Sequence, residues 1–478
     1  MKVAIIHPDL GIGGAERLIV DAALGLQRRH TVHIYASHHN PNHCFEETKD
    51  GTIVVRYIQP PFPRSLHGKG HILFAHLRQL HLTFHLLSGK ASECDIYLVD
   101  QLPTCIPFLR GLAHKRVVFY GHFPDKLLAE GQFIEGQTGL NTKYNLKGLY
   151  RIPMDWLEEA ATSQTDVLLA NSKFTARMFK PHFPSIRQSP RMVYPGVDIE
   201  AYENSLSLNH VDVGDVFSER PTLVSLNRFE SKKNAALAIE AFAMARQQPT
   251  TRDKERGFHK LRLVLAGGFD PRIRDNIDTL AHLTHLCDAQ SLTYTIIPPT
   301  THLTSKALST REPDVMMLLN FTQVQRTWLL TSPNTLALLY TPTNEHFGVV
   351  PVESMISRLP VLACDTGGPT ESIVDPDFSR EPAEARTGWL RPPEAATWSL
   401  AILDILHLSL KERDAIGRRA RQRAETLFSL DATAKSLEDA LKEAVSMGAV
   451  RVQFLPWIVT ALSGLFAFAV ALLCYLLL

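Results

Sequence analysis

The most chemically specific residues of the chain are two carboxylates, Glu345 and Glu353, in the stretch Asn344-Glu345-His346-Phe347-Gly348-Val349-Val350-Pro351-Val352-Glu353. Upstream stand two cations, Arg228 and Lys233, in Asn227-Arg228-Phe229-Glu230-Ser231-Lys232-Lys233-Asn234. Downstream stands a glycine pair in Thr366-Gly367-Gly368-Pro369-Thr370-Glu371. A diphosphate leaving group needs fixed positive charge, which Arg228 and Lys233 could supply. Sugar hydroxyls need carboxylate acceptors, which suits Glu353 to a ribose and Glu345 to a hexose. The N–H groups of Phe347, Gly348 and Val349, with His346 beside them, are placed to open a helix and face phosphates. Gly367 and Gly368 end an apolar run at 359–364 and would admit a phosphate or sugar close to the backbone. The structural alternatives are a solvated charge run at Glu230–Lys233 and an ordinary helix with exposed acids.

A second group of motifs lies in the first half of the chain. Gly11-Ile12-Gly13-Gly14-Ala15-Glu16 follows an apolar run and opens a helix, so Gly13 and Gly14 count among the candidate donor-binding residues. Glu16 stands where the dinucleotide fingerprint has its third glycine, which argues against NAD. Tyr120-Gly121-His122-Phe123-Pro124-Asp125 comes straight after another run, at the strand end where open α/β sheets place ligands. His122 there could bond an acceptor hydroxyl or a transferring sugar. The candidate catalytic set is therefore Lys233, Arg228, Glu345 and His122. Ser172 reads as a helix N-cap, and Tyr194-Pro195-Gly196 as a structural turn. Asp375-Pro376-Asp377 has the form of a metal-nucleotide site but sits in a polar loop and reads as chance. The leaving-group charge then falls to Arg228 and Lys233, with no metal and no cofactor required. Asn320-Phe321-Thr322 is a sequon that a cytosolic strand end would leave unmodified.

Short apolar runs alternating with helical patterns indicate an α/β fold. Strands are expected at Val3–Ile6, Thr31–Tyr35, Ile53–Tyr57, Ile96–Val99, Arg116–Tyr120 and Val167–Ala170. A second series follows at Thr222–Leu226, Leu261–Ala266, Thr293–Ile297, Val315–Asn320, Leu336–Tyr340 and Pro360–Ala363. Each series makes one doubly wound domain. The expected organisation is a first domain over 1–205 for an acceptor and a second over 206–425 for a donor. A terminal helix at 426–450 packs back on the first, and a membrane anchor occupies 451–478. The 478 residues are 45% hydrophobic and 21% charged, enough for large cores, and the net charge of +1 argues against a dedicated nucleic-acid binder. None of the six cysteines has metal or redox spacing, which favours a reducing compartment.

Val3–Ile6 is too short for a signal peptide and reads as a buried strand. By contrast, Val452–Leu478 carries no charge over 27 residues. A helix of that length spans roughly 40 Å, so a C-terminal transmembrane helix is expected, with Lys442 and Arg451 keeping the body on the cytosolic side. Residues 51–92 hold no Asp or Glu before position 93. Within them Ile72–Leu87 reads either as a bilayer-surface helix or as a core helix with a wet basic side.

With these residues placed, the chain closely resembles the eukaryotic mannosyltransferases that add the second and third mannoses to the dolichol-linked oligosaccharide. These are retaining GT-B enzymes of the glycosyltransferase family 4 type. The resemblance covers nearly the whole soluble part and is tightest at residues 4–20, 119–128, 150–175, 222–234 and 338–371. The carboxylate and cation pairs are class-level signals. Asp9-Leu10-Gly11-Ile12-Gly13-Gly14-Ala15-Glu16-Arg17-Leu18 and Leu339-Tyr340-Thr341-Pro342 are more specific. Gly121 departs from the cysteine or other small residue expected before the histidine. The resemblance implies two Rossmann-like domains with an interdomain cleft, GDP-mannose as donor, and dolichyl-pyrophosphate chitobiose-mannose as acceptor. It implies an α-1,3 and an α-1,6 linkage, and a place on the cytosolic face of the endoplasmic reticulum membrane. Other early mannosyltransferases of the pathway are further partners on this reading. The alternatives are another lipid-acceptor sugar-nucleotide transferase of the same fold and a catalytically silent membrane scaffold.

Overall fold

The computed structural model describes all residues except 66–69, 90–93, 125–126, 128–145, 203–210, 248–259, 299–311, 380 and 452–478, Gly464 and Ala469 of that last stretch being described. The chain divides into two compact units: Met1–Gly196 with Leu430–Leu478, and Val197–Ser429. The division at Gly196/Val197 precedes the 205/206 expected from the sequence.

The first unit is built on seven strands: β1 (Lys2–His7), β2 (Thr31–Ala36), β3 (Val54–Tyr57), β4 (Ile96–Asp100), β5 (Arg116–Gly121), β6 (Val167–Ala170) and β7 (Arg191–Met192). They pair in parallel in the order β3-β2-β1-β4-β5-β6-β7. Alternate residues of β1 serve opposite faces. Val3 and Ile5 pack with Leu18, Ile19 and Ala22 of the helix Gly14–Gln27, and Ala4 and Ile6 pack with Leu82 and Leu86 of the helix His71–Ser88. A sheet covered on both faces needs unbroken apolar strands, which is why these runs were legible. The helix Leu430–Ser446 adds Leu437, Ala440, Leu441 and Ala444 to the first of these cores.

The second unit repeats the plan with β8 (Thr222–Leu226), β9 (Arg262–Gly267), β10 (Tyr294–Ile297), β11 (Val315–Leu319), β12 (Thr335–Tyr340), β13 (Val361–Cys364) and β14 (Trp389–Arg391). Its order is β10-β11-β9-β8-β12-β13-β14, again all parallel. Chain order reverses between β1 and β4 in one sheet and between β8 and β12 in the other. The connections leave towards opposite sides there, opening a crevice at the carboxyl ends of the strands.

Twelve strands fall where the apolar runs place them. The two not expected, β7 and β14, are edge strands of two and three residues, too short to show a pattern. The helix His71–Ser88 buries Leu73, Leu82 and Leu86 and leaves Phe84 exposed, the core-helix alternative of the two. Lys69 and Lys90 of that basic stretch lie outside the described residues.

The expected transmembrane helix is corrected. Among the described residues no helix is long and apolar enough to cross a membrane. Most of 452–478 lies outside the described residues. Of the part that is described, Gly464 is helical and a Cβ on it would stand 3.7 Å from Leu157 Cδ1 of the helix Leu146–Thr162. Hydropathy reports that a segment needs an apolar partner and does not distinguish lipid from protein in that role.

Candidate active site

In the second unit the site is assembled from the loops that follow β8, β12 and β13. The loop after β8 runs through Arg228 and turns in a short 3-10 segment, Ser231–Lys233, that ends on Asn234 with φ of 50°. Thr341, just past β12, donates its hydroxyl to the Lys233 carbonyl at 2.7 Å, tying the two loops across the switch point. Lys233 Nζ then pairs with the Glu345 carboxylate, both side chains largely buried. Burial alone would raise the Glu345 carboxyl. The Lys233 charge and hydrogen bond, then His346 and the Tyr340 hydroxyl, hold it below the ordinary range. Glu345 is thus an anion within a shell of donors.

Gly367 and Gly368 have a role different from the expected one. They admit a neighbouring backbone. A Cβ on Gly367, whose φ is 73°, would lie 2.5 Å from the Glu345 carbonyl oxygen, and one on Gly368 would lie 2.2 Å from that of Phe347. The Gly368 N–H donates to the Glu345 carbonyl at 2.7 Å, and the Asn344 N–H to Thr366 Oγ1 at 3.0 Å. The glycine pair therefore presses the loop after β13 onto the loop that carries Glu345.

Gly348, with φ of 84°, begins the helix Val349–Ile356 without a side-chain cap, so the N–H groups of its first turn are not used up by a capping side chain. Phe347 is buried and its ring meets Phe428 edge-on at 5.5 Å, while Val349 is exposed. His346 is half-buried. One turn into the helix, Glu353 is 5% exposed. Its Oε1 pairs with Arg326, and its buried Oε2 has no partner among the described residues. A carboxylate with one oxygen anchored and one open can accept a hydroxyl. Arg228 stands apart from this group: its guanidinium is 63% exposed and bonds Glu230 at 2.8 Å. The two expected cations are therefore unlike, Lys233 buried on Glu345 and Arg228 at the rim.

In the first unit the loops after β1, β4 and β5 converge. Gly13 caps the helix Gly14–Gln27 in an extended conformation, and a Cβ there would stand 2.3 Å from Glu16 Oε2, so its smallness makes room for that carboxylate. Gly14 has open space around its Cα. His122 Nε2 bonds Asp100 Oδ1 at 2.8 Å. Burial would lower the His122 pKa, but Asp100, with a smaller contribution from Glu16, raises it above the ordinary value. Asp125 of the same motif lies outside the described residues. Ser172 caps its helix as expected, accepting from the Thr175 N–H at 3.0 Å.

Four features escaped the sequence. Asp100 and His7 join His122 from other strands, and neither was marked, although His7 ends a strand as His122 does. Arg326 lies 27 residues before its partner Glu353, in no motif. The Gly267-Gly268 pair after β9 carries the same signal as Gly367-Gly368 and could have been found. A Cβ on Gly267 would strike the Asn227 carbonyl at 1.7 Å, so the Arg228 loop rests on it. Asp375 is fully buried, bonded to Arg386 at 2.6 Å, Arg391 at 2.5 Å and the Leu390 N–H at 2.7 Å. Asp377 joins the same arginines. The Asp-x-Asp motif is thus a structural ion cluster.

Two parallel doubly wound sheets with their polar motifs at the switch points define a glycosyltransferase of the GT-B fold. Structures of that fold superpose on the chain. Sucrose-phosphate synthase from Thermosynechococcus elongatus aligns with a TM-score of 0.67 at 15% identity, covering 94% of this chain and all of its own. Anabaena Alr3699/HepE, in complex with UDP and glucose, aligns with a TM-score of 0.61 at 17% identity over 93% of this chain and all of its own. Residues 12–201 match the Glycosyltransferase Family 4 model and residues 314–423 the glycosyl transferases group 1 model. The alpha-1,3/1,6-mannosyltransferase ALG2 of Rhizomucor pusillus is 40% identical over 447 residues, 93% of this chain and 92% of that protein. Its namesake in Schizosaccharomyces pombe is 40% identical over 446 residues, 93% of this chain and 81% of that protein. The chain belongs to this family of alpha-1,3/1,6-mannosyltransferases.

Proposed function

We propose that the chain moves mannose from GDP-mannose to a dolichyl-pyrophosphate chitobiose carrying one mannose, and then to the product carrying two. The two linkages are α-1,3 and α-1,6, made with retention, in the synthesis of the N-glycan precursor. The observation that carries this reading is the buried Lys233–Glu345 pair at the switch point between β8 and β12, in a chain of this family.

Lys233 and Arg228 hold the donor diphosphate, assisted by the first N–H groups of the helix at Val349. Glu353 Oε2 accepts from the ribose, and Glu345 with the His346–Gly348 backbone accepts from the mannose. The acceptor hydroxyl is assigned to the Gly13, Gly14 and His122 end of the first sheet. As the bond from the anomeric carbon to the phosphate oxygen breaks, charge grows on the departing GDP, and Lys233 stabilises it more than it stabilises the bound donor. The acceptor oxygen bonds that carbon from the same face, its proton passing to the leaving phosphate. The reaction so written needs no metal. A polyprenol-tailed acceptor stays in its membrane, and on this reading the work is done at the cytosolic face of the endoplasmic reticulum, where other early mannosyltransferases of the pathway would be neighbours.

The test uses the detergent-solubilised full chain, a phytanyl pyrophosphate chitobiose with one mannose, GDP-mannose and EDTA, read by mass. A gain of two hexoses with the one-hexose intermediate visible is expected. No gain from GDP-mannose, with transfer from a UDP-sugar by the same folded protein, would overturn the donor assignment. No gain from either would favour the silent scaffold.

A further inference from the structure

Asp100 closes β4 and is fully buried. Its two oxygens have separate partners: Oδ2 meets His7 Nδ1 at 2.8 Å and Oδ1 meets His122 Nε2 at 2.8 Å. The three residues come from adjacent strands β1, β4 and β5, at the switch point of the first sheet. The chain turns sharply after the carboxylate, with Gln101 in the left-handed region at φ of 63°.

The protons of this group can be placed. Ionised Asp100 only accepts, so each histidine presents an N–H to it. The other ring nitrogen of His7, Nε2, is buried with no partner among the described residues. A proton there would be an unpaired buried donor, so the geometry places the His7 proton on Nδ1, facing Asp100. His122 differs. Its side chain is 26% exposed, the one member of the three that reaches solvent. With Nε2–H committed to Asp100, its Nδ1 is the nitrogen free to act.

We propose that Asp100 and His7 are positioning residues for His122, fixing which ring nitrogen faces the acceptor hydroxyl and supplying the charge beside it. The inference rests on the proposed role of His122 in transfer. Asp100 touches neither substrate in this scheme; it acts through the histidine, and His7 acts through Asp100. Among the described residues, the charged or titratable groups facing His122 are Asp100, Glu16 of the helix Gly14–Gln27, and the ring of Tyr120 at 5.1 Å. The Tyr120 hydroxyl is engaged on the Val193 carbonyl at 2.7 Å, and from the helix Lys173–His182 the uncharged Thr175 reaches the His122 backbone carbonyl at 3.4 Å. Asp100 is therefore the group that dominates the charge of the ring.

The experiment compares Asp100→Asn, His7→Asn, His7→Leu and His122→Ala in the full chain, measuring kcat, KM for GDP-mannose and the pH dependence of kcat/KM. Folding is checked by circular dichroism. D100N is expected to lower kcat about 10- to 100-fold with KM changed little, because a ring no longer held in place orients the acceptor hydroxyl less well for attack. Its His122 limb should move to lower pH, because the ring loses its anion whichever protonation state is active. H7L should move the same limb to higher pH, since Asp100 then has one donor less and bonds His122 more strongly. H7N, whose amide N–H can replace Nδ1–H, should keep both the rate and the limb. A merely structural role would lower activity at all pH values alike and leave the limb in place, and that result overturns the proposal. If D100N does not fold, the opposite behaviour of H7N and H7L decides alone, and equal loss in both overturns it. Wild-type activity in H122A would remove the role of His122 itself. Activity lost in H122A but kept in D100N and H7L would defeat only the positioning network.

Discussion

The two switch points solve different electrostatic problems with the same architecture. In the second unit the centre is an ion pair, Lys233 on Glu345, with both side chains largely buried. In the first it is a single carboxylate, Asp100, between two imidazoles, one of which, His122, reaches solvent. A fixed cation suits a diphosphate, which is anionic before and after the reaction. An imidazole held in one orientation suits a hydroxyl that must be positioned for attack while its proton passes to the leaving phosphate. The pattern of buried charge thus separates donor work from acceptor work although the two sheets share one plan.

The largest expected effect comes from breaking the fixed pair. Lys233→Ala should lower kcat by about 10³, the order seen when one donor to developing charge is lost, or about 4 kcal/mol. It also leaves the buried Glu345 without its cation, so a lower melting temperature should accompany the loss. Full activity in the folded variant would remove Lys233 from the site. Arg228→Ala, at the exposed rim, should cost much less, and equal losses in the two variants would contradict the distinction drawn between them.

Gly367→Ala tests the scaffold of that pair. The new methyl must displace the Glu345 backbone in a region where φ is already positive, at a cost of about 1–3 kcal/mol in stability, with kcat falling as Glu345 shifts. Unchanged melting and unchanged rate would mean that the two loops do not depend on each other. Glu353→Gln should act more narrowly. It weakens a charge-assisted bond worth about 1.5–3 kcal/mol, so KM for GDP-mannose should rise roughly tenfold or more with kcat little changed. An effect confined to kcat would move Glu353 away from the ribose.

pH separates the two centres by sign. Burial opposes ionisation of Glu345, but Lys233 keeps its pKa below the ordinary 4.5, so its contribution to stability is present above that value and is lost as pH falls through the lowered pKa. Asp100 behaves alike relative to 3.8: burial opposes ionisation, and His122 and His7 together outweigh it. His122 has the opposite sign. Burial is outweighed by Asp100, its pKa is raised, and its contribution is complete below 6.5 and lost as pH rises through the raised value. Melting temperature followed from pH 3 to 9 should therefore fall at both ends. His122→Ala should flatten the alkaline side and remove only Asp100's share of the acid side, that of Glu345 remaining, and an unchanged alkaline side would refute the assignment. The smallest effect on activity is expected from Asp375→Asn. It should cost about 3–5 kcal/mol of stability by exposing Arg386 and Arg391 to an unfilled partner position, while the folded fraction keeps its rate. A specific loss of kcat in that variant would return the Asp-x-Asp motif to the site.

What the sequence by itself determined was local. Twelve strands were legible, the inner ones such as β1, β4, β8 and β11 because they are covered on both faces and run apolar almost without interruption, the outer β2, β3 and β10 from shorter apolar runs. Lys233, Glu345, Glu353 and His122 were legible because polar residues of those types stood next to such runs, in phrases resembling a known family. The pairing of these residues across the chain was decided by tertiary structure alone. His7 and Asp100 are 93 positions apart, and Lys233 and Glu345 are 112 apart. Parallel strands bring distant segments together at their carboxyl ends, and a switch point juxtaposes strands that are not neighbours in sequence. The space under a glycine is equally invisible to composition, so the close approach of the Glu345 and Phe347 backbones to Gly367 and Gly368 was not legible. The uncharged C-terminal run is a further case. Its hydropathy required an apolar partner, and only the folded chain shows Gly464 within reach of Leu157.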